Sequence, residues 1–186
     1  MKRLFDLCLA VSALLFLLIP ILLVALMVKL TSTGPVLYWS DRVGRDNRTF
    51  KMPKFRSMRV NTPALATHLL DNPQQFLTPI GSFLRKSSLD ELPQLWSIMV
   101  GDMSVVGPRP ALYNQEDLIA LRTQYGVDKL LPGLTGWAQV NGRDELPIAQ
   151  KVALDIYYLE HQSLMFDLKI ILLTFIKVLR RDGVQH

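Results

Sequence analysis

Asp90 and Glu91 stand side by side in the run Ser87-Ser88-Leu89-Asp90-Glu91-Leu92-Pro93-Gln94-Leu95, with Arg85 and Lys86 just before it. Adjacent carboxylates suit two kinds of chemistry. They can hold a divalent cation through hard oxygen ligands, or serve as nucleophile or general base on an electrophile such as a phosphoryl group. A phosphate nearing a carboxylate is repelled, so cations must be close. Arg85, Lys86 and Arg109 can supply them, the last inside Gly107-Pro108-Arg109-Pro110. The residue before each proline is pushed out of helix, so Pro108 and Pro110 make a stiff segment that pre-sets the direction of the Arg109 guanidinium. A purely structural reading fits the same letters. Ser87 with Asp90, or Ser88 with Glu91, has the spacing of a capping box, and acidic residues in a first turn favour the helix dipole.

Two further stretches carry candidate ligand groups. Lys54-Phe55-Arg56-Ser57-Met58-Arg59 alternates basic and apolar residues. It reads as a solvated strand edge, a contact for anionic headgroups, or the lining of a phosphate site. Leu131 to Arg143 holds Gly133, Gly136 and Gly142 together with Thr135, Gln139, Asn141 and Arg143. Such a backbone can approach a ligand closely and donate N–H groups, although glycine-rich runs are also simple turns.

The elements that must position these groups follow from the rest of the chain. Its 186 residues suffice for one domain with a core. A net charge of +5 asks for an anionic partner. A mean hydropathy of +0.22 turns that expectation towards membrane rather than nucleic acid, and no helix-turn-helix, zinc or RNP pattern is present. The single cysteine, Cys8, excludes a disulfide within the chain. His68, His161 and His186 have no metal-ligand spacing.

Leu7 to Val28 contains no charged residue and is long enough to span a bilayer. It is too long for a signal peptide and lacks a cleavage site. Basic residues flank both ends: Lys2 and Arg3 before it, Lys29, Arg42, Arg45 and Arg48 after it. Basic flanks stay cytoplasmic, so both ends belong on one side. With Pro20 near the middle, residues 1–30 read as a re-entrant helix–break–helix anchor, with a single-pass span as the alternative. Residues 31–186 then form a cytoplasmic catalytic domain on the membrane surface.

Within that domain, Val36–Trp39 and Thr49–Met52 read as strands around a turn at Asp41–Asn47. Asn61–Pro79 reads as a loop with a short helix near Ala64–Leu70. Ile80–Lys86, Leu92–Met99, Tyr113–Tyr125, Ile148–His161 and Leu164–Arg181 read as helices. In the last, Lys169, Lys177, Arg180 and Arg181 fall on one arc, which fits an in-plane interfacial helix whose basic face meets headgroups, with a core helix bearing a solvated basic edge as the alternative. The fold class is α/β of an α-rich, irregular kind, without the alternation of a doubly wound sheet.

Taken in order, Lys54–Met58, Ser88–Gln94, Gly101-Asp102-Met103-Ser104, Gly107–Pro110 and Pro132–Arg143 resemble the bacterial sugar transferases, the monotopic phosphoglycosyl transferases. The resemblance runs from Lys2 to Gly183 and includes Asp155, Tyr158, Ser163 and Asp167. It implies transfer of sugar-1-phosphate from a UDP-sugar to undecaprenyl phosphate at the bacterial inner membrane, with UMP released. By the same resemblance Asp90 matches the nucleophile and a Mg2+ ligand, and Glu91 its partner. Lys54, Arg85 and Arg109 match the phosphate site. Pro108, Pro110, Gly133, Thr135, Gly136, Gln139, Asn141 and Arg143 are implied nucleotide-binding positions. Implied partners include bacterial membrane lipids and downstream glycosyltransferases, and a homo-oligomer stays open. A hydrolase using the same dyad is the alternative activity. Ile19 stands where members usually carry serine before the proline.

Overall fold

Helix α1 runs from Lys2 to Thr31 without interruption, through Pro20. The computed structural model describes residues 1–62, 72–142 and 146–180. The expected short helix near Ala64–Leu70, and Arg143 and Arg181, lie outside them. Pro20 therefore does not divide α1 into two helices. A proline removes one backbone donor, and the turns on either side keep theirs.

One stripe of α1 is buried, at Asp6, Ala10, Val24 and Val28. The spacings of four, fourteen and four return to the same helical face. Both halves of the stripe pack on the same domain. Ala10 joins Met52, Leu95, Ile98 and Met103, and Val24 and Val28 join Phe55 and Leu84. The other faces expose Leu15, Phe16, Leu18, Ile19, Leu22, Leu23, Leu26 and Leu30. The helix is long and apolar enough to cross a membrane.

Polar groups fix both ends of α1. Arg3 donates to the carbonyls of Ile98 and Met99 at 2.6 and 2.8 Å. Asp6 accepts from the Ser104 hydroxyl at 2.9 Å and from the Val105 N–H at 3.1 Å. At the far end Arg56 donates to the Ser32 and Thr33 carbonyls, satisfying orphan acceptors just past the helix. That contact accounts for the burial of Arg56 and withdraws it from the lipid or phosphate roles open to it in the sequence.

Strands β1 (Leu37–Val43) and β2 (Thr49–Phe55) form the expected hairpin, longer than read, in register from Leu37↔Phe55 to Val43↔Thr49. Helices α2 (Gly81–Lys86) and α3 (Gln94–Val100) follow. A short strand β3 (Ser104–Val106) comes next, and then β4 (Ala111–Leu112), which adds to the free edge of β1. Helix α4 spans Glu116–Gln124. Strand β5 (Gly133–Thr135) lies parallel to β3 and leads into α5 (Trp137–Asn141). Helices α6 (Ile148–Glu160) and α7 (Leu164–Arg180) close the fold. Among the described residues the architecture is mixed α/β and rich in helix, with two small sheets.

The orientation of α7 qualifies one expectation. Its outward arc is apolar, with Leu164, Met165, Leu168, Leu172 and Phe175 all exposed. Asp167 and Ile170 turn into the domain. Lys169 is exposed too, 5.6 Å from the Trp137 ring centre, so a basic residue joins that alkyl arc on the outside. Packing of Ile170 with Val106, Val140 and Tyr158 selects the buried side, and the alkyl arc that remains faces out.

Candidate active site

The dyad sits on a single 3-10 turn, Leu89–Glu91, between α2 and α3. No capping box forms. The Ser87 hydroxyl bonds back to the Phe83 and Leu84 carbonyls, and Ser88 makes no side-chain cap bond. Ser88 adopts φ 56° and ψ 17°, a left-handed conformation unusual for a residue with a Cβ. That turn redirects the chain between α2 and the dyad. Leu92 and Pro93 are helical, and Pro93 caps α3, where its missing N–H leaves no intrahelical bond unmade.

The two carboxylates have different surroundings. Glu91 Oε1 accepts from Lys54 Nζ at 2.8 Å and from Arg109 Nη2 at 3.2 Å. Burial works to raise the Glu91 pKa, but these two cations outweigh it and hold the carboxyl well below its ordinary range. Asp90 is 7% exposed. Its carboxyl is pushed up to about 6, chiefly by burial and further by Glu91, against the pull of Lys54, Arg85 and Arg109. Arg85 is brought close enough to feel both carboxylates, and its own burial lowers its pKa against them. Lys54, Arg85 and Arg109, separated by 55 positions of sequence at most, thus converge on one turn.

Arg109 has a rigid mount. Three consecutive carbonyls of its segment are each held by a donor from a different element. Pro108 O accepts from the Gly133 N–H at 2.9 Å. Arg109 O accepts from Arg122 Nη1 of α4 at 2.8 Å. Pro110 O accepts from Arg42 Nη1 of β1 at 3.2 Å. Arg122 is in turn held by Asp155 of α6, whose Oδ2 accepts from Nε and Nη2 at 2.9 and 2.7 Å. Nothing in the sequence pattern singled out Arg122, which reads there as an ordinary basic residue in the last turn of a helix.

The glycine-rich stretch is placed differently from the expectation of an open cradle. A Cβ on Gly133 would lie 2.1 Å from the Gly107 nitrogen, and one on Gly136 would lie 2.1 Å from the Gly107 oxygen. These glycines let β5 press its backbone against the start of the Arg109 segment. Polar side chains of the stretch make bonds within the domain, while the buried Gln139 Oε1 has no hydrogen-bond partner among the described residues. Thr135 bonds to Thr174 at 2.6 Å, Gln139 to the Leu134 carbonyl at 3.1 Å, and Asn141 to the Trp137 carbonyl at 2.7 Å. Pro108 and Pro110 are buried and flank Arg109 as expected.

Among the described residues no group of three or more His, Cys, Asp and Glu side chains gathers that could hold a metal by itself. The turn brings together one buried carboxylate near ionisation, a second held as an anion, and three cations.

The bacterial sugar transferase family model matches residues 1–181. The protein named "Uncharacterized sugar transferase EpsL" of Bacillus subtilis (strain 168) is 39% identical over 188 residues, covering 100% of this chain and 91% of its own length. The UDP-glucose:undecaprenyl-phosphate glucose-1-phosphate transferase of Escherichia coli (strain K12) is 42% identical over 186 residues, covering 95% of this chain. The undecaprenyl-phosphate galactose phosphotransferase of Salmonella typhimurium (strain LT2) is 36% identical over 199 residues, covering 98% of this chain. The chain spans only 40% and 41% of these last two proteins.

Proposed function

The chain belongs to the bacterial sugar transferase family, and on that premise we propose that it moves sugar-1-phosphate from a UDP-sugar to undecaprenyl phosphate, releasing UMP. One observation carries the reading: the two adjacent carboxylates are electrostatically unlike. Glu91 is committed to Lys54 and Arg109. Asp90 is buried, accepts no hydrogen bond among the described residues and ionises near 6. A carboxylate free of partners and ionised at neutral pH is a competent nucleophile.

In this mechanism an Asp90 oxygen attacks the sugar-proximal phosphorus of the donor. The bond to the UMP oxygen breaks, and UMP leaves with the electron pair. The resulting acyl-phosphate-like ester on Asp90 retains the energy for a second transfer. An oxygen of undecaprenyl phosphate then attacks the same phosphorus and frees Asp90. Lys54, Arg85 and Arg109 neutralise charge on the phosphoryl oxygens, and Glu91 keeps two of those cations in place. Phosphoryl transfer asks mainly for positioning and charge neutralisation of this kind.

Mg2+ is the proposed cofactor. The donor set fits an ion that shares its shell with substrate, since Mg2+ is commonly held by one or two carboxylates plus phosphates. Asp90 would hold it, and bound there it would screen the diphosphate.

The membrane part of the reading rests on α1 and α7. Both ends of α1 are fixed to one domain, which supports an anchor that keeps that domain on a single face of the bilayer. We place it on the cytoplasmic face of the inner membrane. The apolar outer arc of α7 supports a helix lying on the same surface.

The test is UMP release from detergent- or nanodisc-held protein across a panel of UDP-sugars, with Mg2+, with and without undecaprenyl phosphate. Lipid-dependent release that disappears in Asp90→Asn is the expected result. Release indifferent to the lipid would replace the transferase reading with a hydrolase using the same dyad.

A further inference from the structure

We propose that the buried Arg122–Asp155 pair is a positioning device for substrate phosphate, acting through the backbone of Arg109. The inference rests on the reading of Arg109 as a phosphate-binding cation. Arg109 is the one phosphate-site cation whose segment has little means of holding itself. Pro108 and Pro110 have no N–H, so the segment cannot complete a ladder of its own, and its carbonyls depend on outside donors. Gly133, Arg122 and Arg42 supply those donors. The donor to the central carbonyl, that of Arg109 itself, is a charged group only 8% exposed, and its counterion Asp155 is 1% exposed.

Burying a full ion pair is a costly way to hold a loop. Apolar residues of similar volume would pack the same space with equal or greater stability. What the pair supplies and an apolar pair could not is direction. A guanidinium presents its donors in a rigid planar fork. With Nε and Nη2 both fixed on Asp155 Oδ2, Nη1 has one orientation left, and it points at the Arg109 carbonyl. The chain Asp155–Arg122–Arg109 then ends on Glu91, 3.2 Å from Arg109 Nη2. A shift of about 1 Å at such a cation is enough to cost phosphoryl transfer heavily.

The test compares wild type with the Arg122→Met plus Asp155→Leu double variant, which removes the pair without leaving a lone buried charge. Arg122→Lys is run beside it, because it keeps a charge facing Asp155 and lacks the fork. Both are made again on Arg109→Ala. The readouts are melting temperature, UDP affinity by calorimetry, and UMP release. The double variant is expected to melt at or above wild type, to bind UDP about tenfold more weakly, and to lose activity about 10- to 100-fold, with Arg122→Lys losing a similar amount. On Arg109→Ala neither change should cost anything more. UDP affinity left at the wild-type value overturns the proposal, as does a loss that adds in full to that of Arg109→Ala. The two readings separate cleanly. Lipid-dependent UMP release with unaltered UDP affinity in both variants keeps the transferase and sinks the positioning role. Pair-dependent UDP binding without any UMP release does the reverse.

Discussion

The Lys54 ammonium lies 2.8 Å from Glu91 Oε1, and Asp90, one residue earlier, accepts no hydrogen bond among the described residues. Because the lysine is committed to the second carboxylate, the first is left with desolvation as its main influence, and its ionisation falls near 6. UMP release should therefore rise as pH increases through about 6 and level off above 7. Lys54→Met removes a charge that lowers the Asp90 pKa, so the inflection should move to higher pH. A pH–rate profile of both proteins checks this, and an unmoved inflection would separate it from Asp90.

The same burial has a consequence for stability. A carboxyl whose folded pKa lies above its unfolded value binds more protons in the folded state between the two values. Its contribution is favourable below about pH 4 and is lost as pH rises through 6. At neutral pH Asp90 thus costs up to about 3 kcal/mol, from a shift of roughly two units at 1.36 kcal/mol each. Asp90→Asn should be inactive and yet melt higher than wild type at pH 7.5, with the gain vanishing near pH 4.

Glu91 has the opposite sign. Held below its ordinary value by Lys54 and Arg109, it contributes stability that is present above about 4.5 and lost as pH falls further. Glu91→Gln removes the carboxylate that Lys54 and Arg109 share. A loss of about 1–3 kcal/mol is expected in denaturant titrations at neutral pH, with activity falling alongside.

Ser88 carries the backbone turn before the dyad at φ 56°. Left-handed backbone costs a residue with a Cβ about 1–2 kcal/mol, and a β-branched side chain more. Ser88→Gly should keep wild-type activity and stability within about 1 kcal/mol. Ser88→Val should lower both melting temperature and turnover.

On α7, Leu168 and Leu172 are 44% and 60% exposed. Charging them together, as Leu168→Glu plus Leu172→Glu, removes little packing. Melting temperature in detergent should hold, while binding to vesicles containing anionic lipid falls severalfold. Unchanged vesicle binding would take α7 off the bilayer.

The sequence made some of this site legible and hid the rest for identifiable reasons. Asp90 and Glu91 are conspicuous as adjacent acids among basic residues, and the β1–β2 hairpin and most helices follow from period and turn chemistry. The unlike fates of the two acids could not be read, because they depend on Lys54 and Arg109 arriving from distant segments. The capping reading failed at Ser88, where tertiary packing enforces a conformation that local propensity disfavours. The glycines at 133 and 136 carry the same composition whether they cradle a ligand or admit a neighbouring backbone, and only the approach of Gly107 decides. For α7, an arc of lysines and arginines and an arc of alkyl side chains were both visible, but that Lys169 shares the outside with Leu168 and Leu172 is set by what Ile170 packs against. Arg122 gave no signal, since burial of a charge leaves no trace in a single sequence.

Helix α1 also bears on how the protein can be handled. Ala10, Val24 and Val28 are members of the same apolar clusters as Met52, Phe55, Leu84 and Ile98, so the anchor is part of the folding unit. Cutting away the first thirty-three residues would not liberate a water-soluble enzyme. It would open two clusters to solvent, leave Arg56 without its acceptors at Ser32 and Thr33, and unfasten β3 from Asp6. Because the outer faces of α1 stay apolar and uncovered, a detergent or lipid surround should be needed to keep the folded domain dispersed, and exchanging α1 for a generic hydrophobic segment should yield a misfolded chain.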